Sequence, residues 1–523
     1  MKTTMKITMK PKPNRKSAFI LLALISSLGV AQANPYYWAP GESLGGDGNL
    51  DSANWSTNSD GSGSLVNFTA SNSTTLHLSG SGGVVTSTAY NPWGTLNVDV
   101  NGYTLNPTFN FANSEGAGSN MFLAEGVTLN LFTNTATGMI TDVQSVTGGA
   151  GSKLQMNMGS GDLTKTIQIL RGTISVPLDI AGTNGTAIIQ GRGGNASQGT
   201  ISGAISVNDG ITLRLATNGN NYLNMNSAIS GNINVELNSA GTSNGIYWNN
   251  TGATYTGTTT MRSGNASHVV HLGNDNVMPT GTDLIFGTGT AANGGRLNLN
   301  GNDQTVASLS SADQAIGSII TSTGTSTLTI DGASEDSFDL VIGGGAGTLN
   351  LVRDGSGTTT LTAANTYTGT TTVSGTSTLI IQGDQSAAVG LTTVEAGAAI
   401  GGGGTLGGSL HFADGARLLF GDTLAVDGAE VTFGGFSVEN LLGLDYLNVA
   451  EGTYTLISGA ATIVFSNLAN VGIENAYDLG EGRLAYFQEG SLQLVVVPEP
   501  HTYALIFGFG CLTFVMVRRR KNT

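Results

Sequence analysis

Cysteine is almost absent. The one cysteine among 523 residues, Cys511, lies in an apolar run near the C-terminus, so the rest of the chain can form no disulfide. Packing and backbone hydrogen bonds must hold it together. Charge is scarce at 11% of residues, and positive charge is scarcer. Residues 34–517 keep ten Lys and Arg against all 35 acidic residues, a balance of −25. A surface of that sign repels phosphate backbones and anionic headgroups, which excludes nucleic acid as a partner and attracts divalent cations only diffusely. Amphipathic helical periodicity is missing between residues 34 and 430. Long apolar runs occur only at the two ends.

Glycine is plentiful instead, at 78 residues, accompanied by Ser, Thr and Asn. Disordered Gly-rich chains lack regular apolar residues, but here Leu, Val and Ile recur with period two. Thr327-Leu-Thr-Ile330, Leu349-Asn-Leu351 and Thr378-Leu-Ile-Ile381 are examples. Short β-branched runs between Gly, Asn, Asp and Ser turns predict an all-β chain of many short strands. A hexapeptide occurs twice, as Tyr255-Thr-Gly-Thr-Thr-Thr260 and Tyr367-Thr-Gly-Thr-Thr-Thr372. The second copy sits in a unit of about 25 residues, 355–379, that reads as three short strands. One such unit cannot bury its apolar stripe alone, whereas stacked copies can.

This unit resembles the autotransporter-associated β-strand repeat, well over 355–381 and less fully over 245–260. The resemblance implies a right-handed parallel β-helix, a solenoid over residues 61–430. Rungs of about 20–30 residues would give 34–430 roughly 13–20 turns, each rising about 4.8 Å. Exposed ends of such a rod need caps. The aromatic segment Tyr36-Tyr37-Trp38 to Asn54-Trp55 fits an N-terminal cap at 34–60. Larger apolar residues and fewer glycines over 431–497 fit a C-terminal β-rich capping module. The chain shows no run of about ten-residue strands with aromatic girdles after this module, so the repeat does not imply secretion through its own barrel.

The ends carry addresses. Lys2, Lys6, Lys10, Lys12, Arg15 and Lys16 precede an apolar core, 18–30, and then Ala31-Gln32-Ala33. Small residues at Ala31 and Ala33 are what signal peptidase reads, so residues 1–33 are expected to be removed ahead of Asn34 during Sec-type export. At the other end Val497-Pro498-Glu499-Pro500 leads to an apolar run, 504–517, and then Arg518-Arg519-Arg520-Lys521. Four cations resist transfer through hydrocarbon, and 14 apolar residues fall short of the roughly 20 of a permanent span. Both apolar segments are expected to be helical. Residues 498–523 resemble the PEP-CTERM sorting signal of Gram-negative bacteria. The resemblance implies a transient inner-membrane halt, recognition of Pro498-Glu499-Pro500 by an exosortase-type enzyme, and delivery to the cell surface or extracellular matrix.

Catalytic patterns are weak. His268 and His271 are three apart with no Glu between them, unlike a metalloprotease helix. Gly241-Thr-Ser-Asn-Gly245 has nucleophile-elbow spacing but no helix pattern after it. Gly402, Gly404 and Gly407 have dinucleotide-loop spacing ahead of a strand, which makes a glycine turn the better reading. Asp331, Glu335, Asp336 and Asp339 form the best carboxylate grouping, with Arg296 and Arg353 the nearest cations in sequence. These observations predict a non-enzymatic structural or adhesive protein with no cofactor or metal and with exopolysaccharide as a contact. The rival expectation is a β-helical lyase or glycosidase using those acids.

Overall fold

The computed structural model describes residues 36–39, 48–49, 55–62, 71–86, 93–105, 108–110, 119–132, 138–192, 198–218, 221–239, 245–262, 269–287, 295–312, 319–488, 490 and 492–499. The chain winds into an all-β, parallel β-solenoid of about 13 turns, the architecture expected. Among the described residues only two short 3-10 segments, Val438–Asn440 and Ile473–Asn475, are helical. No helix there is long and apolar enough to cross a membrane. The leader 1–33, with Ala31 and Ala33, and Asn34 lie outside the described residues. So do Pro500, the apolar run 504–517 and Arg518, Arg519, Arg520 and Lys521.

Each rung forms because alternate side chains turn inward. Lys153–Gly159 and Gly185–Arg192 alternate buried and half-buried positions along their length. Inward residues then stack in register from rung to rung. One column runs Ile167, Ile189, Leu215, Leu237, Met261 and Phe286. Another runs Leu328, Leu351, Thr371, Thr392, Leu410 and Val431. Partners lie closer in sequence, on average, in the second column than in the first, so the rungs there are shorter. The six residues of the first column are at most 1% exposed. Each such apolar side chain contributes about 1.5–3 kcal/mol by leaving water, and the column as a whole stabilises a rung that could not stand alone.

The repeated hexapeptide makes the same corner twice. Tyr255 and Tyr367 are buried, and each phenol meets the hydroxyl four residues on, Thr259 at 2.5 Å and Thr371 at 2.7 Å. An asparagine of the preceding rung braces the turn. Asn234 accepts from Thr258 N–H, and Asn350 accepts from Thr370 N–H, both at 3.0 Å. Gly257 and Gly369 lie against the carbonyls of Ile233 and Leu349, where a Cβ would collide. The motif is therefore a corner brace tying one rung to the last.

Antiparallel pairing among the described residues is confined to the ends. Tyr36–Trp38 runs antiparallel to Trp55–Ser56 and parallel to Ser71–Leu78, with buried Trp38 and Trp55 meeting edge to face at 5.1 Å. At the far end parallel pairing continues past residue 430, from Leu410–Phe412 to Glu430–Phe433 to Thr462–Ile463. Gly452–Ser458 still pairs parallel with Leu424–Val426 but antiparallel with Leu492–Pro498, which leads on to Arg483–Phe487 and Tyr477–Gly480. Reversing the strand direction ends the column of unpaired backbone groups that a further rung, or another molecule, would otherwise join. Phe412, Phe433, Phe436 and Phe487 close the core there, with ring centroids 5.2–6.1 Å apart along the cluster.

Candidate functional site

A rod of stacked rungs places outward side chains in columns about 4.8 Å apart, so function is to be sought in columns rather than in one cleft. The column Thr200, Asn224, Tyr247, His271, Asn298 and Thr321 is in register over six rungs. Its inward neighbours Leu223, Ile246, Val270 and Leu297 are buried, which turns Asn224, Tyr247 and His271 outward. Tyr247 and His271 stack at 4.5 Å with planes 10° apart, and Tyr222 leans on Tyr247 at 5.5 Å. Asn298 Nδ2 lies 3.3 Å from His271 Nδ1. Burial pushes the His271 imidazole down to about 4, so it is uncharged at neutral pH. His271, whose spacing from His268 is unlike a metalloprotease pair, thus belongs to an aromatic strip. His268 lies outside the described residues.

A similar arrangement occurs near the N-terminal end. Tyr37 stacks on His77 at 4.9 Å, and Asn97 Nδ2 lies 3.2 Å from His77 Nε2. Here, however, His77 Nδ1 lies 2.9 Å from Asp99, which also accepts from Ser79 Oγ at 2.5 Å. Serine, histidine and aspartate are together but wrongly wired for acyl transfer: the hydroxyl donates to the carboxylate, and Nε2 faces an amide instead of a nucleophile. Burial raises the Asp99 carboxyl, but the His77 and Ser79 hydrogen bonds outweigh it and hold the group below its usual 3.8. A depressed folded-state value gives stabilisation that is complete above the unfolded value and is lost as pH falls through the folded one. Asp99→Asn is expected to lower the thermal midpoint near neutral pH and to match the wild type in strong acid. A midpoint difference that persists unchanged in acid would refute this.

The carboxylate grouping does not converge. Glu335 and Asp336 are adjacent on Glu335–Phe338, so they point to opposite faces. Glu335 is exposed, whereas Asp336 shares the inward side with buried Phe338 and pairs in register with buried Thr359. Asp331 pairs with Asp354, and Asp339 N–H donates to Ser311 Oγ. Arg353 is fully buried. Its guanidinium donates to the carbonyls of Ile330 and Gly332 at 3.0 Å and to that of Asp354. Burial, reinforced by Asp283, pushes the Asp336 carboxyl above the carboxylate range while Arg353 pulls it back. Only Asp336 and Arg353 turn inward, as a polar brace in which Arg353 is committed to backbone carbonyls, while Asp331, Glu335 and Asp339 are exposed. Arg296, the other cation near these acids in sequence, lies on the aromatic strip's face.

Other charges are also engaged. Glu236 accepts from Arg214 at 2.7 Å and Arg262 at 3.0 Å across three rungs, and Lys153 meets Asp179 at 2.5 Å. Gly402, Gly404 and Gly407 are corner residues, with Gly402 at φ +109°. No group of three metal-ligating side chains occurs among the described residues. Of the residues expected to form a sorting motif, Val497 and Pro498 end the last described cap strand, paired with Leu484 and Arg483, and Glu499 N–H donates to Gly482 O at 2.7 Å.

Tyr222, Tyr247 and His271 do not stand out as a set along the chain. Their signal is an aromatic or imidazole ring recurring once per rung, which becomes visible only when the rung length is known. Comparison with protein-family models, with curated proteins and with solved structures finds no match for this chain.

Proposed function

We propose that this is an exported, non-enzymatic rod of the cell surface or extracellular matrix, sorted by its C-terminal signal. The observation that carries the reading is where the cap closes. The last described strand of the cap finishes at Pro498, so the described solenoid and both closures precede the segment 500–523 that sorting would remove. An exosortase-type enzyme would read Val497, Pro498, Glu499 and Pro500 while Arg518, Arg519, Arg520 and Lys521 hold the tail at the inner membrane. Signal peptidase would already have cut ahead of Asn34. The rod's outward columns, rich in Thr, Asn and Tyr, suit many weak contacts with polysaccharide. The rival reading, a matrix-polysaccharide lyase or glycosidase, needs two carboxylates facing one substrate. The opposed faces of Glu335 and Asp336 weigh against that pair.

Replacing Pro498 and Pro500 together with alanine is expected to leave full-length protein in the membrane fraction and to deplete it from the cell surface. Mass spectrometry of the mature termini is the readout. Unchanged trimming and delivery in the double variant would end the proposal.

A further inference from the structure

We infer that the outward strip formed by Tyr222, Tyr247 and His271, flanked by Asn224 and Asn298, is a binding site for an uncharged polysaccharide. The inference rests on the surface or matrix role above and adds the site and the charge class of its partner. Three rings on three successive rungs make a continuous aromatic strip along the rod axis, with centroids 5.5 and 4.5 Å apart. Sugar rings present C–H groups to aromatic surfaces and hydroxyls to amides and phenols. This strip supplies both, since tyrosine joins an apolar body to a polar tip and half-buried Asn224 carries an amide, while buried Asn298, bonded to His271 and to Asn300 N–H, holds the imidazole in place. Being built on strands, it is held rigid before any ligand arrives, which lowers the entropy cost of binding.

The charge class follows from the surroundings. The outward positions of the strip's two columns, from Gln198 and Thr200 to Asn298, include one charged residue, Arg296, and no carboxylate. His271 is neutral at physiological pH because burial depresses its basicity. The mature chain is strongly acidic as a whole, so a polyanion would meet long-range repulsion with one local cation to offset it. A neutral chain meets neither penalty. The Tyr37–His77 stack is a poorer candidate because its imidazole is tied to Asp99.

Affinity electrophoresis of the exported protein through gels holding dextran, laminarin or hydroxyethylcellulose, with alginate as the polyanion, tests the inference. At least one neutral glucan is expected to retard the wild type more than alginate does. Tyr247→Ala should weaken that retardation roughly tenfold, the size of a central aromatic contact, while Tyr247→Phe keeps most of it. If Tyr247→Ala misfolds, nitration of the wild type decides: the retarding glucan should shield Tyr222 and Tyr247 from tetranitromethane. No retardation by any neutral glucan, equal retardation of Tyr247→Ala, or unshielded tyrosines would each overturn the inference. Surface delivery of Tyr247→Ala should be normal, whereas the Pro498/Pro500 double variant should still bind glucan when purified. The two readings therefore fail separately.

Discussion

Replacing Arg353 with methionine is expected to destabilise the rod by about 3–5 kcal/mol, the range for stripping a buried charge network of its cation. Arg353 is fully enclosed, and burial draws its guanidinium below the usual value despite the nearby acids Asp336, Asp331 and Asp354. An apolar residue would escape that desolvation cost, so the sign of the effect is a contest. Three considerations favour loss. The guanidinium bonds are charge-assisted, worth about 1.5–3 kcal/mol each. Methionine leaves the acceptor positions at Ile330, Gly332 and Asp354 unfilled. Asp336, whose Oδ2 is buried without a partner, also loses the one cation that holds its carboxyl down.

The pH dependence has a definite sign. Asp336 has a raised folded-state value, so its protonated form favours the fold and stability is lost as pH rises through that value. Without Arg353 the Asp336 carboxyl is pushed up further and more stability is lost as pH rises, so the methionine variant should be closest to wild type in acid. Chemical denaturation across pH checks this. Hydrogen exchange in Ser326–Gly332 and Leu349–Gly355 locates the damage, because rungs of a solenoid open semi-independently. Combining Arg353→Met with Asp336→Asn should cost less than the two changes summed. Additive losses would mean that the two side chains are not coupled.

Gly408→Ala is expected to cost about 3 kcal/mol, at the upper end of the overpacking range, although it adds one methyl group. Gly369, Gly390, Gly408 and Gly428 stack at one corner of successive rungs. A Cβ on Gly408 would overlap the Gly390 carbonyl oxygen and lie 2.7 Å from its carbon. Its φ is not in the left-handed region, so backbone strain is not the obstacle. The obstruction is main chain, which cannot rotate away as a side chain would. Gly281→Ala is the control. It has open space and no positive φ, and restricting the unfolded chain should stabilise the protein by about 0.4–1 kcal/mol. Thermal unfolding of both variants is the measurement. Equal effects at Gly408 and Gly281 would show that corner contact does not set the glycine requirement.

These glycines show how far local pattern reaches. Period-two alternation in segments such as Ser326–Gly332 determined the all-β class, because a side chain every second residue can be buried only on a pleated strand. The recurrence of Tyr-Thr-Gly-Thr-Thr-Thr determined that copies stack, since a three-stranded unit exposes its apolar stripe when alone. The proposed export and sorting signals are also local patterns, each carried by a short stretch of neighbouring residues. Composition marked the change of core near residue 430, where phenylalanines and leucines replace glycine. It did not show that parallel rungs continue to Thr462–Ile463, because pairing direction depends on a partner strand a full turn away along the chain.

The candidate site was illegible for the same reason. Tyr222, Tyr247 and His271 are strangers in sequence, and only the closing of each rung on the one before brings their rings together. Asp336 and Arg353, legible in sequence only as part of a carboxylate grouping and its nearest cation, likewise turn inward only through the winding of the rungs. The sequence by itself determined strand character and repetition, both set by near neighbours along the chain. The tertiary structure alone decided which side chains share a column and which charges are buried. Those outcomes turn on how much chain each turn consumes, a property of the closed coil and not of any segment within it.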